Sequence, residues 1–324
     1  MKEKIIKIKL SDVEDLIKNV NEKDRDLTYI LELENCNGIT TELLNSLEAL
    51  SLDIKFKING DLFNSNNIEE NTNTDNYFKD NFLYNYNIDQ MKKIIAYFEE
   101  VVRAMPKMSE IGRFLFIYAV ICFEIDYDKS KGFDFKNYFE LSSLQRSLYG
   151  TLINGEGVCV GYSLALYNLL SYVNVNCKEL SGEAYLPNGN SGGHAWNAVQ
   201  IDGKWYFVDA TWDSHHFEKL ENCLVVNNNF MTSHVLNTSN NDKIINCVFA
   251  SQDYNHNTLK QMYTYILEEF FIKPNLTEKL RAHRIEKKEL YTFDKYKKEM
   301  LDGNWQDFLS KFDIDFEKHG TSKK

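Results

Sequence analysis

The dipeptide Asp202-Gly203, set between two alternating runs, constrains the fold more than any other feature of this sequence. Asp-Gly between residues that alternate in polarity is typical of a two-residue type I′ turn, and it predicts an antiparallel hairpin. A loop of two residues pairs Ile201 with Lys204 and so fixes the register of both strands. His194 and Asp209 then become diagonal neighbours on one face, with roughly 7–8 Å between their backbones. The register therefore predicts a hydrogen bond between this imidazole and this carboxylate.

The same register predicts the neighbours of this pair. It places Asp209 opposite Trp196 and His194 opposite Thr211. The rest of the shared face is apolar, so we expect the carboxylate to be partly desolvated and its hydrogen bond to be strengthened. A slip of one residue would turn these side chains to the other face and break the arrangement.

A cysteine upstream of the hairpin completes a set of three reactive groups. Residues 129–154 are predicted to be mostly loop and lead to Cys159, which lies between Gly157 and Gly161. Apolar residues at helical spacing follow, so a buried helix is predicted to begin at or near Cys159, with the glycines allowing a tight turn and close approach of a substrate. A helix N-terminus and an adjacent imidazole both favour the thiolate. Free N–H groups of this turn could also stabilise an oxyanion.

Each of these residues also has an ordinary structural interpretation. A lone cysteine on an apolar helix is usually a packing residue, a histidine beside a tryptophan in a strand usually belongs to the core, and an aspartate near a turn is often a cap. The joint occurrence of Cys159, His194 and Asp209, in that order and in a consistent register, favours a nucleophile, a base and a group that orients the base. Trp196 and Trp212 are predicted to line a substrate cleft.

Metal binding is the other use of such residue types. His215, His216, Cys223 and His234 could be brought together, but their spacing matches no zinc pattern. We therefore predict no metal site and expect no cofactor.

The N-terminal residues predict a small β-α-β unit. Residues 27–33 and 52–58 alternate like strands, and Thr40 or Thr41 is placed to cap a helix that runs through Leu50. No catalytic signature occurs in this unit, so it is interpreted as an accessory or docking module.

Changes in composition predict three segments. Residues 1–87 combine the α/β unit with an Asn-rich linker, residues 88–250 form the core with the reactive groups, and residues 251–324 form a mostly helical, charged extension. The core begins with a helix over 89–105 and a second helix capped by Ser109. The predicted fold class is α+β, with the cysteine-bearing helix packed against an antiparallel sheet that carries the histidine and the aspartate.

Composition excludes several classes of partner. The chain of 324 residues carries a formal net charge of −11, and its basic residues are scattered, so no nucleic-acid partner is predicted. The N-terminus lacks the apolar run of a secretory signal, and no segment is long and apolar enough to span a bilayer, so a cytoplasmic protein without a membrane partner is expected. The six cysteines form no CxxC pair and are expected to be thiols. The sequence does not predict an oligomeric state.

Taken together, these motifs resemble the transglutaminase-like superfamily, the papain-related group that includes animal transglutaminases, peptide N-glycanases and many bacterial cysteine peptidases. The resemblance covers roughly residues 109–235. The segments that carry it are Gly157-Val158-Cys159-Val160-Gly161-Tyr162-Ser163, Ser181-Gly182-Glu183-Ala184, Gly193-His194-Ala195-Trp196-Asn197, Asp202-Gly203-Lys204-Trp205-Tyr206 and Val208-Asp209-Ala210-Thr211-Trp212-Asp213.

The resemblance implies a role for each matching residue. Cys159 would be the nucleophile, His194 the general base and then the acid, and Asp209 the orienting carboxylate. It also implies an oxyanion site built from the Cys159 backbone amide and a side chain, for which Tyr149 and Gln145 are the candidates.

Three functions are compatible with this sequence. The first is acyl transfer from a peptide or protein amide through a Cys159 thioester, with hydrolysis favoured over transfer to an amine. The second is a catalytically silent scaffold that binds other proteins, which predicts a buried or hydrogen-bond-silenced thiol of ordinary reactivity. The third is an acetyl transferase acting on a small amine, which would need an acyl-CoA pocket that no Gly-rich loop or basic cluster supports.

Overall fold

The structure is a computed structural model that describes residues 5–19, 27–58, 85–128, 144–186, 189–214, 223, 230–236, 256–272 and 276–283. Its strands are β1 (Ile5–Lys9), β2 (Thr28–Leu33), β3 (Asp53–Ile58), β4 (Asn85–Asn87), β5 (Asp126–Tyr127), β6 (Glu156–Gly157), β7 (Cys177–Tyr185), β8 (Ser191–Ile201), β9 (Lys204–Val208) and β10 (His234–Leu236). Its α-helices are α1 (Val13–Asn19), α2 (Thr41–Ala49), α3 (Ile88–Ala104), α4 (Glu110–Glu124), α5 (Cys159–Tyr172), α6 (Ala210–Asp213), α7 (Phe230–Ser233), α8 (His256–Ile266) and α9 (Leu276–Arg281). Two π-helices cover Tyr149–Ile153 and Leu267–Ile272. Most of the predicted Asn-rich linker and the tail beyond residue 283 lie outside the described residues.

The predicted N-terminal α/β unit is confirmed and includes two further strands. Its sheet has the order β1-β2-β3-β4, in which the first three strands are parallel and β4 is antiparallel to β3. Thr40 is the cap of α2, because its side chain accepts a hydrogen bond from the N–H of Leu43 at 3.2 Å. Thr41 instead donates its hydroxyl to Glu99 of α3, so the two threonines have different roles.

The central sheet is antiparallel and has the order β10-β7-β8-β9. Helix α5 packs against β7 and β8 on one side and against α4 on the other. Almost all of its side chains are therefore buried, as expected for a helix with apolar residues on most of its surface. This arrangement confirms the predicted α+β fold class, with the cysteine-bearing helix on an antiparallel sheet.

The predicted register of the β8–β9 hairpin is confirmed. Ile201 pairs with Lys204, and the turn residues Asp202 and Gly203 have φ angles of 50° and 81°, as a type I′ turn requires. The ladder ends earlier than the prediction, because its last pair is Asn197 with Val208. The chain then turns into α6.

The predicted cross-strand partners beyond this point are therefore wrong. Asp209 caps α6 and Thr211 belongs to α6, so neither forms a ladder pair with Trp196 or His194. The side-chain carboxylate takes two backbone N–H groups of the first helical turn, which compete with continued strand pairing.

One hydrophobic core passes through most of the described chain. It extends from Val13 to Leu280 and includes apolar side chains of the N-terminal sheet, α3, α4 and α5. A smaller cluster, centred on Trp196 and Phe207, lies on the opposite face of the central sheet. The boundaries after residues 87 and 250 stay predictions. No helix in the described part of the chain has the length and apolar character needed to span a bilayer.

Buried hydrogen bonds connect α5 to β8 and so fix the height of the helix on the sheet. The Ser163 hydroxyl donates to the carbonyl oxygen of Trp196 at 2.9 Å, and the Asn197 side-chain amide donates to the carbonyl oxygen of Ser163 at 3.1 Å. The Ser163 oxygen also lies 3.5 Å from a carboxylate oxygen of Glu179 on β7. Since Ser163 is one helical turn after Cys159, these bonds determine where the start of α5 meets β8.

Replacing Ser163 with Ala should lower the free energy of unfolding by roughly 1–3 kcal/mol, because the buried Trp196 carbonyl loses its side-chain donor. Chemical denaturation of the variant measures this loss. Ser171→Ala is the matched control on the same helix, at a partly exposed position, and should change stability by less than about 0.5 kcal/mol. Equal stability of both variants would show that the Ser163 bonds do not hold the helix.

Candidate active site

Cys159 is the first residue of α5, as the sequence predicts. The preceding residue, Val158, has an extended backbone and makes no side-chain capping bond. Its N–H donates to the carbonyl oxygen of Gln145 at 3.1 Å. The first N–H groups of a helix have no partner within the helix, and the positive end of the helix dipole lies at the same point. The thiol is buried, with 3% of the residue exposed.

The two flanking glycines have a different role from the predicted one. Neither Gly157 nor Gly161 has a positive φ angle, so no special turn requires them. A Cβ at Gly161 would lie 2.2 Å from Thr151 Oγ1 and 2.6 Å from the carbonyl oxygen of Gln145, and one at Gly157 would lie 2.8 Å from the same Oγ1. The glycines therefore allow the π-helix and the start of α5 to pack closely, rather than leaving space for a substrate.

The three predicted catalytic side chains lie close together. His194 Nε2 lies 2.7 Å from Asp209 Oδ2. Cys159 is near enough to the His194 ring for each group to shift the pKa of the other, and because Nε2 is engaged by Asp209, Nδ1 is the nitrogen left for the sulfur. The backbone N–H of Ala195 also favours the thiolate. The small Ala195 side chain packs on Cys159 and so lets the end of the helix approach β8.

Electrostatics favour the charged forms of these side chains. Burial alone would raise the pKa of the Cys159 thiol, but the hydrogen bond and charge of His194 lower the pKa below the ordinary thiol value. Burial disfavours the imidazolium, yet Asp209 and Cys159 outweigh it and raise the pKa of His194 to about 10. The thiolate–imidazolium pair is therefore the main form between the two pKa values.

Asp209 is fixed through both of its carboxylate oxygens. Oδ1 accepts the N–H groups of Thr211 at 2.9 Å and Trp212 at 3.2 Å, and Oδ2 accepts from His194. The Tyr118 hydroxyl lies 3.1 Å from the Asp209 carbonyl oxygen and 2.8 Å from Asp213 Oδ2. Burial raises the pKa of the Asp209 carboxyl, but His194 and its other donors hold that pKa far below the usual range. The aspartate is thus a helix cap and a partner of His194 at once.

A second histidine lies on the same carboxylate. His234, the first residue of β10, places its Nε2 3.2 Å from Asp209 Oδ2. Its Nδ1 lies 3.0 Å from the Ser233 hydroxyl and 3.3 Å from the Phe230 carbonyl oxygen. Burial lowers the pKa of His234, which favours the neutral imidazole. The sequence predicts no catalytic role for His234, since contact with Asp209 depends on the pairing of β10 with β7.

A metal ion could be held by one group of side chains in the described part of the chain. His194, Asp209 and His234 offer ligand atoms that all lie within 4.8 Å of one another. Asp209 Oδ2 lies at hydrogen-bond distance from both imidazoles, so metal binding would break both bonds. Of the residues considered above for zinc and rejected on their spacing, His215 and His216 lie outside the described residues.

The two predicted cleft tryptophans lie on the imidazoles. Trp196 is buried, stacks on His194 with 5.8 Å between ring centroids and belongs to the smaller hydrophobic cluster. It therefore packs behind His194 and does not line an open cleft. Trp212 is partly exposed, with its ring 5.8 Å from His194 and 4.4 Å from His234. Of the two, only Trp212 can contribute to a surface beside the thiol.

The two oxyanion candidates face different surroundings. The backbone carbonyl of Gln145 accepts a hydrogen bond from the N–H of Val158, the residue before Cys159. The buried side-chain Oε1 of Gln145 has no hydrogen-bond partner. Tyr149 is buried in the π-helix, with its hydroxyl 3.5 Å from the Lys93 ammonium of α3.

Sequence reasoning did not identify Tyr127 as a neighbour of the site. Burial raises the pKa of the Tyr127 phenol, and the charges of Cys159 and Asp209 raise it further. Tyr127 lies on β5, which pairs with the β6 strand that leads to Cys159. The segment that contains Tyr127 is thus adjacent to the reactive groups.

Comparison with known proteins finds a family to which part of the chain is similar. Residues 99–210 match the model of the transglutaminase-like superfamily. Solved structures with similarity include a TGase, at 21% identity with a TM-score of 0.30, and a candidate cysteine protease from Cytophaga hutchinsonii, at 19% identity with a TM-score of 0.28. These matches cover 38% and 45% of this chain and only 32% and 41% of those proteins. No curated protein matches the chain.

Replacing Gly161 with Ala should destabilise the protein by about 1–3 kcal/mol or more, because the new methyl group meets the Gln145 backbone carbonyl, which cannot rotate away. Thermal unfolding measures the loss. Adding Thr151→Ala should restore only part of it, since the backbone clash remains. Gly193→Ala is the control, because nothing lies within 4 Å of a Cβ there, and its stability should equal that of the unchanged protein. An unchanged melting temperature for Gly161→Ala would contradict the packing argument.

Proposed function

We propose that the chain is a cysteine-dependent acyl transferase of the transglutaminase-like superfamily, whose model residues 99–210 match, and that it acts on peptide or protein amides, most often with water as acceptor. The observation that carries the proposal is that Cys159, at a helix N-terminus, lies beside the hydrogen-bonded pair of His194 and Asp209. This set supplies a nucleophile, a proton carrier and a group that orients the carrier.

The proposed reaction uses the charged pair as its starting state. The Cys159 thiolate attacks the amide carbonyl carbon, and the carbonyl electrons move to the oxygen. When the tetrahedral intermediate collapses, the C–N bond breaks, His194 gives its proton to the leaving amine, and a thioester remains on Cys159. His194 then takes a proton from water, which attacks the thioester, and the acid and the thiolate are released. Asp209 holds the ring in place and stabilises the imidazolium throughout.

We propose Gln145 as the side-chain donor to the oxyanion, together with the Cys159 N–H. Its backbone is bonded to the residue before the nucleophile, which keeps the Gln145 side chain close to the start of α5. Tyr149 is the weaker candidate, since its hydroxyl is near Lys93 on α3. Donors at such a site act on charge that develops only in the transition state.

Restricted access supports water as the main acceptor. Only 3% of Cys159 and 8% of His194 are exposed, so a small acceptor reaches the thioester more easily than a bulky amine does. We propose a cytoplasmic location as well, supported by free thiols at all five cysteines that the described residues include.

The same low exposure is the observation that favours the second candidate function, a catalytically silent scaffold. A buried thiol can be a packing residue, and a scaffold needs no reaction at Cys159. The two functions differ in the state of the sulfur, because a scaffold requires no thiolate.

We expect iodoacetamide to alkylate Cys159 at lower pH than an ordinary thiol, because the lowered pKa produces thiolate at lower pH. His194→Ala removes the cation that stabilises the Cys159 thiolate, while the burial of the thiol and the charge of Asp209 remain. The pKa of the Cys159 thiol should therefore rise, and its alkylation rate near pH 6 should fall roughly 10- to 100-fold. Mass spectrometry of the Cys159 peptide between about pH 4 and 9 measures the rate.

Cys177 in the same samples serves as an internal control, since it is also a thiol outside any disulfide and lies away from His194 on β7. Its profile should be the same in both proteins. A Cys159 that reacts only in alkaline solution in the unchanged protein would favour the scaffold.

The protein is incubated with casein as a general substrate and a fluorescent primary amine. New N-termini indicate a peptidase, released ammonia without labelling indicates a deamidase, and casein labelled with the amine indicates a transglutaminase. We expect hydrolysis products to exceed amine-labelled casein. Cys159→Ala should abolish every product, while circular dichroism shows an unchanged fold. Products that persist in this variant would exclude Cys159 as the nucleophile.

A further inference from the structure

We propose that His234 is a positioning residue of this site, which holds Asp209 in line with His194 and so adds a fourth residue to the set of Cys159, His194 and Asp209. The inference rests on the proposed function and concerns a residue outside the predicted set. It starts from one geometric fact, that both imidazoles approach the same oxygen, Asp209 Oδ2, at 2.7 and 3.2 Å.

The protonation of His234 follows from its neighbours. Asp209 is ionised and can only accept, so the nitrogen that faces it carries a proton. A second proton on the ring is disfavoured by burial and by the positive charge of His194. Nδ1 is then unprotonated and lies 3.0 Å from the Ser233 hydroxyl, which also lies 3.0 Å from the Phe230 carbonyl oxygen. The ionised Asp209 carboxylate therefore sets the tautomer in which Nε2–H donates to it.

Ring packing fixes the direction of that donor. The Phe230 ring stacks on the His234 imidazole with centroids 3.8 Å apart and planes 6° apart, and Trp196 and Trp212 pack against other sides of it. No part of His234 is exposed. A ring that cannot rotate gives a donor of fixed direction, and outer donors of this kind orient the groups that they contact.

The consequence for the reaction follows from the shared oxygen. Without His234, Oδ2 keeps His194 as its single side-chain donor, and the plane of the carboxylate is held only by that bond and by the α6 N–H groups on Oδ1. The groups that face His194 are then Cys159 and a less constrained Asp209. A less well oriented carboxylate stabilises the His194 imidazolium less. The imidazolium then lowers the pKa of the Cys159 thiol by a smaller amount.

The experiment compares four proteins by the rate of Cys159 alkylation with iodoacetamide between about pH 4 and 9. His234→Leu removes the donor and keeps an apolar volume, and His234→Gln retains an N–H at nearly the same distance from the backbone. Val235→Ala, at the next position of β10 and 49% exposed, is the matched control. Thermal unfolding of each protein separates loss of stability from loss of orientation.

We expect the His234→Leu profile to move towards alkaline pH and its rate near pH 6 to fall roughly 3- to 30-fold. His234→Gln should recover most of the rate, and Val235→Ala should match the unchanged protein. A merely structural role would lower the melting temperature of His234→Leu and His234→Gln alike without moving either profile, and this result would overturn the proposal.

The unchanged protein separates the two proposals. If the alkylation profile of the unchanged protein is acid-shifted and that of His234→Leu is the same, the proposed positioning role of His234 is wrong and the proposed function stands. If its own profile is that of an ordinary thiol, the proposed function fails and the role of His234 fails with it. If His234→Leu does not fold, His234→Gln decides, because a rate as high as that of the unchanged protein supports the donor and an alkaline profile in a folded protein contradicts it.

Discussion

The buried carboxylate of Asp209 is the interaction on which the rest of the site depends. An ionised group removed from water is costly unless charge and hydrogen bonds compensate for it. Here the compensation comes from two helix N–H groups on one oxygen and two imidazoles on the other. These donors belong to α6, β8 and β10, so the sheet order places all of them around one negative charge.

Placement of the sulfur depends on a second set of contacts, which are apolar and steric. The start of α5 lies close to β8 because Ala195 is small and because Gly157 and Gly161 leave room for Thr151. Ser163 then locks the next turn of the helix to the Trp196 carbonyl. Polar bonds thus fix the carboxylate and close packing fixes the thiol, and the imidazole lies between the two.

Part of the β8–β9 hairpin and of its site could be predicted from the sequence, and part could not. The Asp202-Gly203 turn sets the register of β8 and β9 through local geometry, so the approach of His194 to Asp209 could be predicted from sequence. The end of the ladder could not, because capping of α6 by the same Asp209 competes with strand pairing, and sequence does not rank the two.

Contacts between elements far apart in sequence were also beyond prediction. His234 reaches Asp209 only through the pairing of β10 with β7, and no local pattern encodes that register. The π-helix that contains Thr151 replaces part of a predicted loop, so the packing reason for Gly161 was hidden as well. The sequence thus predicts the turn and the helix starts, and it does not predict features that depend on a competing cap or on a tertiary partner.

The other buried cysteines give an internal comparison that bears on enzyme against scaffold. Burial raises the pKa of Cys36, Cys122 and Cys223, as expected for thiols that only pack. Cys159 is also buried, yet its pKa is lowered, and the difference is the imidazole beside it. A scaffold gains nothing from this difference, since a buried ion pair often contributes less stability than an apolar pair of similar volume. A chain that keeps such a pair at a helix N-terminus has the arrangement that thiolate chemistry requires, and this favours the enzyme.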